Sequence, residues 1–205
     1  LPEGAVEETV ETNYNPVVRA LAALPKPVVA AVNGVAAGAG LSLALLCDLR
    51  ILSEAAVLTV GFSGVGLALD AGMSYTLPRL VGPARALELA YTGRKVTANE
   101  ALRLGLGEQV FPADGFMAAA TAFAARLAAG PTASYARIKA QVAASPESTL
   151  EQQLGLEARL QGEASRTDDF AWAVCPPDGS RPAMRRATTS RCVRKRRWCS
   201  SSDRA

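Results

Sequence analysis

Between positions 26 and 48 the chain swings between apolar runs and small-residue breaks. Residues 27–32 (PVVAAV) are apolar and rich in β-branched side chains, with a proline before them and Asn33-Gly34 after them. That pattern predicts a strand buried on both faces. Asn33-Gly34 marks a turn. Gly38-Ala39-Gly40 then leads into residues 41–47, which are apolar all round and predict a buried helix. The succession is strand, glycine-rich turn, helix N-terminus.

The flanking segments follow by the same reading. Residues 6–24 place Val10, Tyr14, Val17 and Leu21 at helical spacing, and Pro16 inside that span implies a kink or two shorter helices. Residues 49–53 and 57–60 read as short strands, so the strand–helix–strand order implies a parallel sheet with right-handed crossovers. Residues 61–67 form a glycine-spaced loop and residues 70–80 a helix or helical turn. Gly82-Pro83 opens a helix that Gly93 closes. Thr97 to Glu100 fits a capping box before a short helix ending at Gly105. Residues 107–111 read as a strand. Beyond Asp114-Gly115 come three helices, over 116–129, over 132–144, and from a capping box at 148–151 to about residue 164.

The fold class is therefore α/β. A sheet core occupies residues 1–112 and a helical C-terminal region residues 113–170. Residues 171–205 have a different character and lack a hydrophobic period.

Charge sharpens that last division. The 205 residues carry a net charge of +3. Residues 171–205 hold nine Arg or Lys against two acids, whereas residues 1–170 hold 13 basic and 17 acidic residues. A basic tail is one signature of nucleic-acid or membrane contact. The Arg, Pro and Cys load reads better as out-of-frame translation of a GC-rich gene, with a disordered basic arm as the alternative. No fixed structure is expected there. No nucleic-acid or membrane partner is expected either, since no apolar run approaches the ~18 residues of a span. No signal peptide is expected from the first residues given. It begins with Leu rather than Met, so the natural start is expected to lie upstream. Histidine is absent, which excludes Ser-His-Asp and Cys-His mechanisms within this chain. The four cysteines form no CxxC pair and no zinc spacing, so no metal is expected, and Cys47 reads as a small core residue. Reduced cysteines suit a cytoplasmic location.

Two features can carry chemistry. The first amides of a helix lack internal partners and sit at the positive end of its dipole. Gly38 and Gly40 let a ligand oxygen approach the backbone, so these amides can stabilise a developing oxyanion; alternatively the glycines only permit tight packing. Asp70 lies in GLALDAGMSYTLPR. Among Leu67, Leu69 and Met73 its ionised form would be desolvated, suiting proton transfer; alternatively it caps the following helix.

VNGVAAGAGLSLALLCDLRI, followed by VGFSGVGLALDAGMSYTLPRLVG, resembles the crotonase superfamily of enoyl-CoA hydratases and isomerases. The resemblance runs over residues 15–170. It implies a ββα spiral core, here partial, and C-terminal helices that make trimer contacts and often cover the active site. It implies an acyl-CoA thioester as substrate, with CoA part of that substrate and no separate cofactor, and a homotrimer or hexamer. One oxyanion amide would be that of Ala39. The other belongs to an earlier segment with no match here. Hydratases of the family carry two glutamates. Ser42 and Phe62 stand at those positions, and Asp70 stands where many hydratases have glycine. The pattern is that of an isomerase acting on 1,2-epoxyphenylacetyl-CoA or a 3-enoyl-CoA through a thioester enolate. A 2-enoyl-CoA hydratase and a catalytically silent binding subunit are the alternatives. Asp70 and Ala39 are the expected catalytic groups. Gly38, Gly40, Phe62, Tyr75 and Lys139 are expected at the substrate. For Phe62 and Tyr75 core packing, and for Lys139 a solvated helix face, are the competing readings.

Overall fold

Each pass of the chain adds one strand to each of two three-stranded sheets. The computed structural model describes residues 4–174. One sheet has β1 (Val29–Val32), β3 (Leu49–Ser53) and β6 (Gln109–Phe111) in the order β1-β3-β6, all parallel. The other has β2 (Val35–Ala37), β4 (Val57–Thr59) and β5 (Val96–Thr97) in the order β2-β4-β5. There β2 and β4 are parallel, but β4 and β5 are antiparallel, so the parallel expectation holds for one sheet and half of the other. The buried helix is α3 (Ala39–Leu46). It begins two residues earlier than the apolar run suggests, because the Gly38 turn already starts the helix.

The N-terminal helical span is divided as Pro16 requires. α1 (Ala5–Thr9) runs through a π-helical turn (Val10–Tyr14) into α2 (Asn15–Ala23), with Pro16 in the first turn of α2. Proline has no N–H to donate, and a first-turn position loses nothing by that. After β4, a 3₁₀ turn (Ser63–Val65) interrupts the expected loop. α4 (Met73–Val81), α5 (Pro83–Thr92) and α6 (Ala98–Leu104) follow. The box at α6 is only half formed. Thr97 accepts from the Glu100 amide, but the Glu100 carboxylate is drawn 2.8 Å from Arg94 instead.

A continuous core fills the space between the sheets and α3–α6. Leu41, Leu45, Leu52, Leu58, Met73, Leu77, Leu89 and Leu106 are almost fully buried in it. A smaller cluster joins Ile51 to Phe116 and Ala120 of α7 (Phe116–Ala128). α7 thus packs on the β1-β3-β6 sheet, and the first compact unit extends to Lys139 rather than ending where the strands end. The second unit begins at Ala140, within α8 (Thr132–Ala144). It contains α9 (Leu150–Ala164), whose capping box pairs Thr149 with Gln152, one residue later than expected. α10 (Asp168–Val174) carries helix past position 170, so the change of character at 171 is not where regular structure stops. The rest of the predicted basic tail lies outside the described residues. No helix among the described residues is long and apolar enough to cross a membrane.

Candidate active site

The site is built on the N-terminal end of α3. Gly38 has φ 50° and ψ −127°, a conformation open to glycine and costly for other residues. Its amide donates to the Thr59 carbonyl (3.3 Å), which anchors the turn to the end of β4. The first i→i−4 bond of the helix runs from the Ser42 amide to the Gly38 carbonyl (2.9 Å). The amides of Ala39, Gly40 and Leu41 come before that bond and have no helical acceptor. Gly40 is exposed, and Gly38 and Ala39 are half-buried. A ligand oxygen brought to this end meets unsatisfied donors.

Asp70 is brought to the same end. The Ser42 hydroxyl is fully buried and lies within hydrogen-bond distance of two carbonyls, that of Gly38 (3.2 Å) and that of Asp70 (3.1 Å). Asp70 does not cap α4. The N-cap is Gly72, and no side chain caps that end. Asp70 Oδ1 is buried and makes no hydrogen bond among the described residues. Burial pushes the Asp70 carboxyl above the usual carboxylate range. Met73 is fully buried and Leu69 packs against the core, but Leu67 is 46% exposed. The backbone beyond Asp70 is strained. Ala71 has φ 47° and Gly72 φ 82°, and among the described residues Ala71 is the one non-glycine residue with a positive φ.

The other candidates divide. Phe62 is buried in the core beside the Gly38 turn; a Cβ placed at Gly38 would lie 3.8 Å from its Cζ. Tyr75 is half-exposed on α4, with the Arg79 guanidinium 3.5 Å from its ring centroid. Lys139 is not on a solvated face. Its ammonium is 2.9 Å from Asp48 Oδ2, which also accepts from the Val28 amide (2.7 Å). Its charge is taken up within the protein.

The far end of α3 holds a group whose role the sequence did not reveal. From the sequence Arg50 reads as a surface or salt-bridge position; it forms the salt bridge, with Glu108, but is 4% exposed and so not at the surface. Its guanidinium donates to the carbonyls of Cys47 (2.8 Å) and Leu45 (3.4 Å), the last turn of α3, and pairs with Glu108. Glu108 also accepts from the Arg50 amide. Cys47 closes the helix, its thiol donating to the Leu43 carbonyl, and burial pushes that thiol's pKa up. The lone hydroxyl of Ser42 in an apolar run was the visible clue to the near end, because a buried hydroxyl must find acceptors. No comparable clue marked Ala71.

The enoyl-CoA hydratase/isomerase family model matches residues 2–175. The chain belongs to that family. Among its relatives, the protein named "Probable enoyl-CoA hydratase" of Rhodobacter capsulatus is 44% identical over 179 residues, 85% of this chain and 70% of the relative. The 1,2-epoxyphenylacetyl-CoA isomerase of Escherichia coli is 43% identical over 166 residues, 81% of this chain and 63% of that one. The crystal structure of an enoyl-CoA hydratase from Polaromonas superposes with a TM-score of 0.81 at 32% identity, covering 88% of this chain and 70% of that one. The fold is thus crotonase-like. The chain spans 63% to 70% of the length of these enoyl-CoA hydratase/isomerase relatives. A hydratase-named relative and an isomerase match it almost equally, at 44% and 43%, so identity does not separate the two activities.

Proposed function

We propose that the full-length protein is an acyl-CoA isomerase that works through a thioester enolate, on a 3-enoyl-CoA or on 1,2-epoxyphenylacetyl-CoA. The observation that carries this is the buried Oδ1 of Asp70, which has no hydrogen-bond partner among the described residues and whose main chain shares a hydroxyl with the glycine turn of α3. On a 3-enoyl thioester, the carbonyl oxygen accepts from the Ala39 amide. Asp70 takes a proton from C2, and the C2–H electron pair enters the dienolate. The proton returns from Asp70 to C4, the double bond moves to C2–C3, and no atom is gained or lost. A carboxyl with a raised pKa suits both halves of that transfer. Amide donors aimed at the developing oxyanion contribute most to such a step, about 2.7–4 kcal/mol each. The second donor is assigned to the family's earlier segment, which the chain does not match.

The hydratase reading fits the site less well. Ser42 is fully buried with its hydroxyl engaged, and Phe62 is packed in the core, so neither position presents a carboxylate to a water. A trimer or hexamer in the cytoplasm is part of the proposal. The exposed Val142, Leu150 and Leu154 of the second unit offer apolar surface for it.

The test uses the full-length protein with a 3-enoyl-CoA and with crotonyl-CoA. The expected result is isomerisation of the first, little hydration of the second, and loss of isomerisation in Asp70→Asn. Rapid hydration of crotonyl-CoA would favour the hydratase. Activity undiminished in Asp70→Asn would remove the proposed proton carrier, and no turnover of either would favour the silent subunit.

A further inference from the structure

We propose that Ser42 is a positioning residue, whose hydroxyl fixes the main chain of Asp70 against the Gly38 turn and so sets the Asp70 carboxylate relative to the Ala39 amide. This rests on the reading of Asp70 as proton carrier.

A serine inside a helix commonly donates back to the carbonyl four residues earlier, and Ser42 does so toward Gly38 at 3.2 Å. The second acceptor is different in kind. The Asp70 carbonyl, 3.1 Å away, belongs to another element 28 residues later in the chain. One proton is shared between two carbonyls, one preceding the oxyanion amide and one belonging to the proton carrier. With Ser42 fully buried, no water competes for the bond.

The Asp70 side needs such a tie. The Asp70 carbonyl also accepts from the Met73 amide at 3.0 Å, across the turn in which Ala71 stands at φ 47°. A non-glycine residue in that region is strained and persists only where the surroundings over-determine it. Ala71 itself is 2% exposed, so the turn cannot relax outward without opening the core. Removing the hydroxyl leaves the Asp70 carbonyl tied only within its own strained turn. The carboxylate is then free to drift relative to α3.

A displacement of about 1 Å in such a pair can cost about 100-fold in rate while leaving binding largely intact. In the full-length protein assayed with a 3-enoyl-CoA, Ser42→Ala is expected to lower kcat about 10- to 100-fold with KM within about threefold. Ser42→Thr, which keeps the hydroxyl, recovers most of kcat. Ser42→Cys, of similar shape but a weak donor, falls between and serves if the alanine variant does not fold. Wild-type kcat in Ser42→Ala overturns the proposal, as does an equal loss in the Ala and Thr variants, which would mean that volume matters and the hydroxyl does not. Asp70→Asn is the parallel control. If it is inactive while Ser42→Ala is fully active, only the positioning role fails. If it is fully active, the proton-carrier reading and the positioning role fall together.

Discussion

Asp70→Asn should move activity and stability in opposite directions. A buried oxygen without a partner costs about 1–3 kcal/mol, and more when it carries charge. Asp70 Oδ1 is such an atom. Asparagine keeps the shape and one oxygen, so the variant relieves only the charge-dependent part, set here at about 1 kcal/mol. For a chain of this length that is a rise in Tm of about 2–4 °C. The pH dependence has a definite sign. Burial raises the carboxyl's pKa, so the folded state holds the proton more tightly than the unfolded state. The wild type is therefore unpenalised below the unfolded pKa, about 3.9, and loses stability as pH rises through the folded pKa. The gain from Asp70→Asn is absent near pH 3 and grows as pH rises through the folded pKa.

Activity should fall about 10²- to 10⁴-fold, the usual contribution of a positioned acid–base group. That is about 2.7–5.4 kcal/mol in the barrier. Calorimetric melts of the 205-residue chain across pH, with isomerase assays of the full-length protein, read both effects. A capping aspartate would instead leave Tm almost unchanged, because asparagine caps a helix as well as aspartate does. An unchanged or lowered Tm at neutral pH would therefore refute the reasoning, whatever the activity shows.

Glu108→Ala leaves Arg50 buried without its carboxylate. Because Glu108 is 34% exposed and water can partly replace it, a loss of about 3 kcal/mol is expected in urea melts, the low end of the range for such a deletion. Lys139→Ala should leave KM for acyl-CoA within about twofold and cost about 1 kcal/mol of stability, since its ammonium is held by Asp48; a tenfold rise in KM would restore its substrate role. Gly38→Ala forces φ 50° on a residue with a Cβ, so a loss of about 1–3 kcal/mol is expected by calorimetry, with lost activity because the Ala39 amide turns with it.

What was legible in the sequence was what local pattern dictates. The β-branched run of β1, the all-apolar α3, the Pro16 break and the Gly93 and Gly105 stops each rest on one or two residues acting where they stand. β2 was not legible. Val35–Ala37 is three residues long, two of them alanine, a type depleted in strands, and it is a strand because it pairs with β4. The box at α6 was read from spacing, but Glu100 answers to Arg94, which the spacing does not show. The candidate site was legible as two motifs, the GAG turn and Asp70. The tie between them was not, because Ser42 reaches an acceptor 28 residues away.

The same limit explains why α3 needs holding at both ends. An isolated helix of eight residues has no stability of its own in water, and being apolar all round it has no preferred face to fix its rotation. Its direction must come from the polar groups at its termini. At the C-terminal end the Arg50 guanidinium takes the carbonyls of Leu45 and Cys47 and is itself held by Glu108. Asp48 follows at once, bound to the Val28 amide before β1. At the N-terminal end the Gly38 amide is held by Thr59, and Ser42 joins the turn to Asp70. A donor for a developing oxyanion has to be aimed before the charge appears. On the proposed mechanism the aim of the Ala39 amide is set by the Ser42 and Arg50 side chains at the two ends of the helix, together with the glycine that lets the turn form.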